Sequence, residues 1–365
     1  MPAPDATTVD ACTVDHRALE AAVARLFEAT GVERSEAEGI AEILVLSDLR
    51  GLDSHGVRFA ARYLRGLRRG LLNPRPRMEL VRRRGAVAVL DADNGLGFVS
   101  ARAAMTTATE LAGTHGIGAV AVRNSNHFGM AAFYAMQALE TGMIGHATTD
   151  GPPHTVIWGG REPMVSNDPI AWAFPTRTSP PIVVDTALTG VKEKIRIAAE
   201  RGEPIPVGWG IGPDGAETTD ARLALQGALL PIGGPKGSSL IVANEILCGA
   251  LAGARFSFEV SKALVMGADH HDEWRCGHFL AAIDVTAFTD RETFLDRVEE
   301  FAATMRAAAP ARGVDRVYLP GEQAWLAAEA ARRDGVRIAR ATLEELEGVA
   351  TEVGEPMAFT RLDAR

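Results

Sequence analysis

The hydrophobic period of this chain changes at Leu72-Asn73-Pro74-Arg75-Pro76, and that change constrains its fold more than any other feature. Before it, apolar residues recur at helical spacing. Leu19, Val23, Leu26 and Phe27 predict an amphipathic helix over residues 15–30, with Gly31 as its stop. Ser35-Glu36-Ala37-Glu38 reads as a capping box that opens a second helix burying Ile40, Ile43 and Leu44. Residues 57–70 read as helix again. After the break, short apolar runs at 86–90, 119–122, 144–148, 182–185 and 279–285 read as strands. Helical patterns at 101–115, 131–141 and 192–201, and a buried helix at 238–252, alternate with them. Such alternation predicts an α/β layered domain. Residues 204–220 are rich in glycine and proline and read as a surface loop over the core. The tail from Arg291 reads as helix, then strand-like at Val317-Tyr318-Leu319, then helix over 323–333. The expected segments are 1–76, a helical lobe, 77–290, the α/β domain, and 291–365, a C-terminal segment.

A chain of 365 residues exceeds what one hydrophobic core normally organises, which also points to two lobes. Its net charge of −9 argues against a general nucleic-acid binder. The arginines bunched between Arg62 and Arg84 read as a solvated face in preference to a phosphate site. Cys12, Cys248 and Cys276 are far apart and have no metal-ligand spacing, so free thiols in a reducing compartment are expected. The start, Met-Pro-Ala-Pro-Asp-Ala, lacks the basic and apolar regions of a signal peptide. The apolar stretch 240–254 is interrupted by Asn244 and Glu245 and is too short to span a bilayer. A cytoplasmic protein without membrane or nucleic-acid partners is the expectation.

Two polar clusters carry the chemistry. Asp53-Ser54-His55-Gly56 lies just beyond the second helix, and Asn124-Ser125-Asn126-His127-Phe128-Gly129 follows the strand at 119–122. Histidine exchanges protons near neutrality, and a histidine at the end of a packed element is a common proton-transfer arrangement. Dinucleotide-type glycine patterns are also present but misplaced. Gly210-Ile211-Gly212-Pro213-Asp214-Gly215 has no strand before it, and Gly116-Ile117-Gly118 precedes a strand. Gly95-Leu96-Gly97 follows a strand, yet Ser100 stands where the third glycine belongs. A Rossmann domain is therefore not expected. Gly233-Gly234-Pro235-Lys236-Gly237-Ser238 lacks Walker spacing, although its glycines and lysine before a helix suit a phosphate.

Ser47-Asp48-Leu49-Arg50-Gly51-Leu52-Asp53-Ser54-His55-Gly56 and Val122-Arg123-Asn124-Ser125-Asn126-His127-Phe128-Gly129 resemble signatures of the malate/L-lactate dehydrogenase family. So do Trp158-Gly159-Gly160-Arg161-Glu162-Pro163, Asn167-Asp168-Pro169-Ile170-Ala171, Gly202-Glu203-Pro204-Ile205-Pro206, Ala228 to Gly234, Gly277-His278-Phe279 and Leu319-Pro320-Gly321-Glu322. The resemblance implies a homodimer of a non-Rossmann, three-layer NAD(P)-binding α/β domain with a mixed sheet. A helical lobe made from both chain ends would flank it, with 291–365 packing back on that lobe. It further implies oxidation of 2-hydroxy acids or reduction of 2-oxo acids with NAD or NADP, and no metal. His55 resembles the proton donor, and His127 a second catalytic histidine at the same oxygen. Arg50 is the expected clamp for the substrate carboxylate, since a guanidinium grips it bidentately. Ser54 and Asp53 either orient the histidine or take part directly. The resemblance places Asp185, Thr186, Ala187, Lys236, Gly321, Glu322 and Gly151 near the cofactor.

The residue types suit the reaction, because a histidinium both protonates and stabilises the alkoxide that forms at C2. Departures occur around the expected pocket. Asp150-Gly151-Pro152-Pro153 replaces the family's Asn, small residue, Ser, Pro, and Glu193-Lys194 replaces Gly-Lys. Pro235 and Ser238 stand in for frequent histidine and tyrosine. They suggest a substrate other than plain malate or lactate, and Asp150 suggests one that carries an amine. An alternative reaction is therefore reduction of a cyclic or N-alkyl 2-imino acid. A cofactor-binding protein without turnover and a metal hydrolase are the remaining readings. His270-His271-Asp272-Glu273 reads as a solvated loop, Trp158 and Trp274 as packing, and His154 and His278 as structural.

Overall fold

A computed structural model of the chain describes residues 10–178, 180–260 and 274–357. The first half runs β1 (Ala11–Val14), α1 (His16–Ala29), α2 (Arg34–Leu49), α3 (Ala60–Arg68), β2 (Glu79–Arg84), β3 (Val87–Asp91), α4 (Gly97–His115), β4 (Ile117–Ser125), α5 (Ala131–Gln137) and β5 (Ile144–Thr149). Short strands β6 (Thr155–Val156) and β7 (Pro163–Val165) precede β8 (Ile170–Phe174), β9 (Ile182–Thr186) and α6 (Lys192–Arg201). Then come β10 (Gly210–Ile211), α7 (Ala221–Gln226), β11 (Ala228–Leu229), α8 (Pro235–Glu245), β12 (Cys276–Ile283) and α9 (Arg291–Arg306). The chain closes with α10 (Glu322–Asp334), β13 (Val336–Ala339) and α11 (Arg340–Val353). Two compact units result, one from Met1–Arg75 with Gln323–Arg365, the other from Pro76–Glu322.

The first unit joins both chain ends. Strand β1 pairs antiparallel with β13, Cys12 opposite Ile338. Arg65 on α3 meets Glu345 on α11 at 2.6 Å, and Arg68 pairs with Glu352 one turn on. Helix α1 buries the expected stripe Leu19, Val23, Leu26 and Phe27, and Asp15 caps it by accepting from Ala18 N at 2.8 Å. Helix α2 starts differently from expectation. Its cap is Glu33, whose carboxylate accepts from Ser35 N at 2.8 Å and Glu36 N at 3.4 Å. The longer side chain reaches the open first-turn N–H groups, so Ser35 is already helical.

The second unit contains a seven-stranded sheet of order β2-β3-β4-β12-β5-β8-β9 and a four-stranded sheet of order β10-β11-β6-β7. Among the described residues of the larger sheet, only β3 and β4 run parallel; the other pairs are antiparallel. This mixed sheet is not the all-parallel Rossmann arrangement. Glycines define the layers on it. Gly118 and Gly145 both stand opposite Ala282 and so share a face. A Cβ at Gly118 would sit 2.0 Å from Ala108 O of α4, and one at Gly145 2.1 Å from Ala135 O of α5. Gly277 presents the other face, where its Cβ would meet Cys248 O at 2.0 Å. Helices α4 and α5 therefore cover one face and the 246–251 turn, wound as a π-helix, the other.

Several expectations are corrected by packing. The C-terminal border lies after Glu322, not at 291, because α9 belongs with the α/β unit. Arg177 binds Glu292 at 2.6 Å and Asp296 at 2.7 Å on that helix, and Glu299 accepts from Arg177 N and Thr178 N. Val317-Tyr318-Leu319 is not a strand. Leu319 N donates to the Glu322 carboxylate at 3.1 Å, which closes a turn instead. The helix expected to be buried over 238–252 keeps one face exposed, with Leu240, Val242, Ile246 and Leu251 outward. Strand β2, unforeseen, carries Arg82-Arg83-Arg84 on a fully exposed edge, where charge discourages further strand pairing.

Gly97 opens α4, and a Cβ there would lie 2.0 Å from Asn126 O. The Asn126 amide donates to Asn94 O, Asn94 Oδ1 and Gly95 O at 2.9–3.2 Å, which clamps the 94–97 turn to the His127 loop. The glycines of Gly95-Leu96-Gly97 thus serve close backbone contact. Gly97→Ala is expected to cost about 1–3 kcal/mol in urea denaturation through overpacking. Gly113→Ala in the same helix, whose nearest neighbour would be Met143 Cε at 3.7 Å, is expected to be neutral or stabilising.

Candidate active site

In the terminal unit, α2 ends at Leu49 and the buried Arg50 forms its C-cap. Gly51 turns the chain at φ 73°, and Asp53–His55 form a single 3₁₀ turn. Ser54 Oγ lies 3.0 Å from His55 Nδ1, and Phe59 stacks on the imidazole at 6.5 Å between centroids. Asp48 fixes this turn from below, its carboxyl accepting from Val57 N at 2.8 Å. A Cβ at Gly56 would fall 1.9 Å from Asp48 Oδ1, so only glycine fits beside it. Burial pushes the Asp48 carboxyl up to about 8. Burial, with the positive charge of Arg58, lowers His55 to about 4. At neutral pH the acid is protonated and the imidazole neutral. Asp48 was visible in the sequence only as a helix-end carboxylate; its link to Gly56 is the signal that spacing alone did not disclose. Asp48→Asn is expected to hold stability within about 1 kcal/mol of the parent, because an amide oxygen can accept the same bond. Asp48→Ala is expected to lose about 1–3 kcal/mol, both read from thermal unfolding.

In the α/β unit, His127 Nδ1 accepts from Gly129 N at 3.2 Å. That bond requires the ring proton on Nε2. Trp274 packs edge-on to the ring at 5.9 Å, so the tryptophan read as packing also holds His127 in place. Phe128 points inward and stacks on His278 at 4.7 Å. His278 is structural: its nitrogens lie 2.7 Å from Thr149 Oγ1 and 2.7 Å from Ser125 Oγ, and burial lowers it to about 3. His154 Nδ1 likewise meets Pro152 O at 2.9 Å.

The α/β unit also holds a cleft of about 780 Å³. Asp185, Thr186 and Ala187 at the end of β9 line it, as do Gly233, Gly234 and Pro235 before α8. Trp158, Trp209, Val207 and Glu217 complete its walls. The 204–220 segment is thus a wall of the cleft as well as a surface loop, and Trp158 is a half-exposed wall residue, not core packing. Lys236 is exposed in the first turn of α8, next to the wall but not on it. Gly321, at φ 84°, packs beneath β9, where a Cβ would meet Val183 Cβ at 2.8 Å. The Glu322 carboxylate is spoken for by Leu319 N at 3.1 Å, Arg306 at 3.2 Å and Arg316 at 3.0 Å. Burial opposes its charge, but these donors hold it below the usual carboxylate range. Gly151 is buried against Ser166 Oγ, 3.0 Å from its would-be Cβ, and does not line the cleft. Trp209 and Glu217 were not foreseen; the glycine-rich composition of their loop masks them.

A buried group of acids lies deeper. Asp150 Oδ1 accepts from Gly277 N at 3.0 Å, and Glu245 accepts from Ser257 N and Oγ. Among the described residues, no group meets Asp150 Oδ2 or either Asp168 oxygen in good hydrogen-bond geometry. Burial first, and neighbouring acids second, push Asp150 and Asp168 well above the carboxylate range. The buried thiols of Cys248 and Cys276 are raised too, by burial and then by these acids, and are correspondingly inert. A carboxyl whose folded pKa is raised contributes stability below its unfolded value, and loses it as pH rises through the folded value. Asp168→Asn and Asp150→Asn are therefore expected to stabilise by roughly 1–3 kcal/mol at pH 8 and by less towards pH 4, seen as a Tm gain that grows with pH. Among the described residues no group of three His, Cys, Asp or Glu could hold a metal ion, and no helix is long and apolar enough to cross a membrane. His270-His271-Asp272-Glu273 lie outside the described residues.

A family model described as malate/L-lactate dehydrogenase matches residues 14–347. A malate dehydrogenase of Pyrococcus abyssi is 35% identical over 341 residues, covering 91% of this chain and 92% of its own. A sulfolactate dehydrogenase structure from Methanocaldococcus jannaschii superposes with a TM-score of 0.88 at 31% identity, over 94% of this chain and 98% of that one. A Δ1-piperideine-2-carboxylate reductase structure from Pseudomonas syringae pvar. tomato gives 0.82 at 30% identity, over 93% and 99%. With its mixed sheet and glycine-set layers, the chain belongs to the malate/L-lactate dehydrogenase family.

Proposed function

We propose that the protein is an NAD(P)-dependent 2-hydroxyacid dehydrogenase in which His55 exchanges the proton at the C2 oxygen. The observation that carries this reading is the His55 turn: an imidazole held neutral by burial, with Ser54 Oγ at its Nδ1, in a turn whose exit Asp48 ties down through Val57 N. A neutral imidazole is ready to take the hydroxyl proton of a 2-hydroxy acid. In the reverse direction the same ring must first be protonated. An anionic 2-oxo acid beside it favours the charged form and so assists that loading. Arg50 is assigned the substrate carboxylate. His127, its Nε2 carrying the proton, is assigned as a hydrogen-bond donor to the reacting oxygen.

The cleft of the α/β unit suits a dinucleotide. Its volume lies within the usual range of roughly 300–1,000 Å³ for ligand sites, two indoles offer flat faces, and Asp185 offers an acceptor for ribose hydroxyls. Lys236 in the first turn of α8 suits the pyrophosphate. The nicotinamide, when bound, supplies or accepts the hydride. The exposed apolar side chains Leu240, Val242, Ile246 and Leu251 support the homodimer that the resemblance implies.

Reduction of a 2-imino acid is the second reading, supported by the likeness to the piperideine-2-carboxylate reductase. Asp150 adds little to it, because a buried carboxyl that keeps its proton attracts an ammonium weakly. A panel of 2-oxo acids with and without added amine, followed by nicotinamide absorbance, separates the two. His55→Ala is expected to lower kcat by about 10²–10⁴-fold, and retention of turnover would sink the assignment. If His55 titrates near 4, kcat/KM for hydroxyacid oxidation stays level from pH 8 down to about pH 5. Over the same range kcat/KM for reduction rises as pH falls, by about tenfold per unit. An inflection near 6.5 in both directions would instead mean an unshifted histidine.

A further inference from the structure

We infer that this cleft selects NAD(H) over NADP(H), with Glu217 and Asp185 as the discriminating side chains. The inference rests on the cofactor reading above, since it assigns the cleft to the dinucleotide; family membership does not decide between the two forms.

The charge of the walls carries it. Among the described residues that line the cleft, the charged ones are Asp185 and Glu217, and none is Lys, Arg or His. The two dinucleotides differ by one phosphate on the adenosine ribose, with a charge near −2 at neutral pH. Proteins that hold this phosphate supply arginine or lysine for it, whereas a carboxylate accepts hydrogen bonds from the free 2′- and 3′-hydroxyls. Here the phosphate would lose those acceptors and meet charges of its own sign. Lys236 does not reverse the argument, because the pyrophosphate it suits is common to both forms.

The placement of Glu217 is built, not incidental. Ile211 and Glu217 form an antiparallel bridge. Gly212 N donates to Ala216 O at 2.9 Å and Thr218 N to Gly210 O at 3.1 Å, so the strap folds back on β10. Asp214 closes the turn by accepting from Ala216 N at 3.1 Å, and Asp220 caps α7. The strap therefore presents carboxylates at 214, 217 and 220. Arg161 packs against Gly215 of the strap, its Cδ 3.0 Å from that glycine's would-be Cβ, but does not line the cleft, and Arg222 donates from Nε to Ala199 O. The indoles that flank this charge lie on glycine backbones. A Cβ at Gly234 would meet Trp158 Cζ3 at 3.0 Å, and one at Gly190 would meet Trp209 Cγ at 3.2 Å. Main chain packs against both side chains, whose rings offer a base somewhere to stack without choosing between the two cofactors.

Isothermal titration of the intact protein with NADH, NADPH, 5′-AMP and adenosine 2′,5′-bisphosphate tests this without turnover. The expected result is at least tenfold tighter binding of NADH than NADPH, with 5′-AMP preferred over the bisphosphate in the same sense. Glu217→Gln should narrow the gap at least threefold, and Glu217→Lys should narrow it further by strengthening NADPH. Glu217 is solvent-exposed, so unchanged thermal unfolding of both variants is the accompanying control. Equal or tighter NADPH binding that Trp209→Ala weakens would overturn the selectivity while leaving the cleft as the cofactor site. Binding of neither dinucleotide, or binding indifferent to Trp158→Ala and Trp209→Ala, would overturn the cofactor reading itself. A preference for NADH untouched by both Glu217 variants would remove that residue from the proposal.

Discussion

Backbone-to-backbone contact at glycine is the constraint on which the α/β unit depends. At Gly97, Gly118, Gly145 and Gly277 a single added carbon would stand 2.0–2.1 Å from a main-chain oxygen. Each position sets how near a helix or loop comes to the sheet. Gly118 and Gly145 seat α4 and α5, Gly277 seats the turn after α8, and Gly97 ties the start of α4 to the loop of His127. The distances among the layers are fixed by peptide groups, which cannot change rotamer. Alanine and valine fill what remains of the core, as at Ala104, Ala108, Val120 and Val122. A site assembled on such contacts inherits their rigidity, which is what accurate placement of proton donors requires.

Desolvation, more than pairing, sets the charge states of three histidines and three carboxyls in this molecule. His55, His146 and His278 are held neutral by burial, and Asp48, Asp150 and Asp168 are held protonated by the same cause. The two groups act in opposite senses. The histidines take stability away as pH falls below about 6.5, whereas the acids take it away as pH rises. Stability is thus bounded on both sides. His55, half-buried, is the histidine of this set that also serves the proposed chemistry, and its neutral state follows from the packing that positions it.

The change of hydrophobic period at 72–76 is legible because helices and strands bury different intervals of sequence, and most elements follow from it. The His55 and His127 clusters are legible because small and polar residues gather there against the local pattern. What escapes is whatever depends on distant partners. Strand β1 is too short to show a period and exists through pairing with β13, more than three hundred residues away in sequence. The Glu33 cap and the Glu322 turn depend on side-chain reach, which spacing does not encode. Gly95-Leu96-Gly97 carries the right letters for a phosphate loop, yet its geometry serves the approach of Asn126. In the loop of Trp209 and Glu217, glycine and proline conceal a wall of the cleft behind the composition of a connector.

The sharing of one unit by both chain ends bears on how the protein is made. Residues 76–322 form an unbroken span and can collapse while the ribosome is still working. The segment with Arg50, Ser54 and His55 emerges first, yet its ribbon lacks a partner strand until Val336–Ala339 has been translated. Until then β1 is an open edge, available to chaperones or to neighbouring chains. The turn of His55 is thus synthesised before the α/β unit and completed after it.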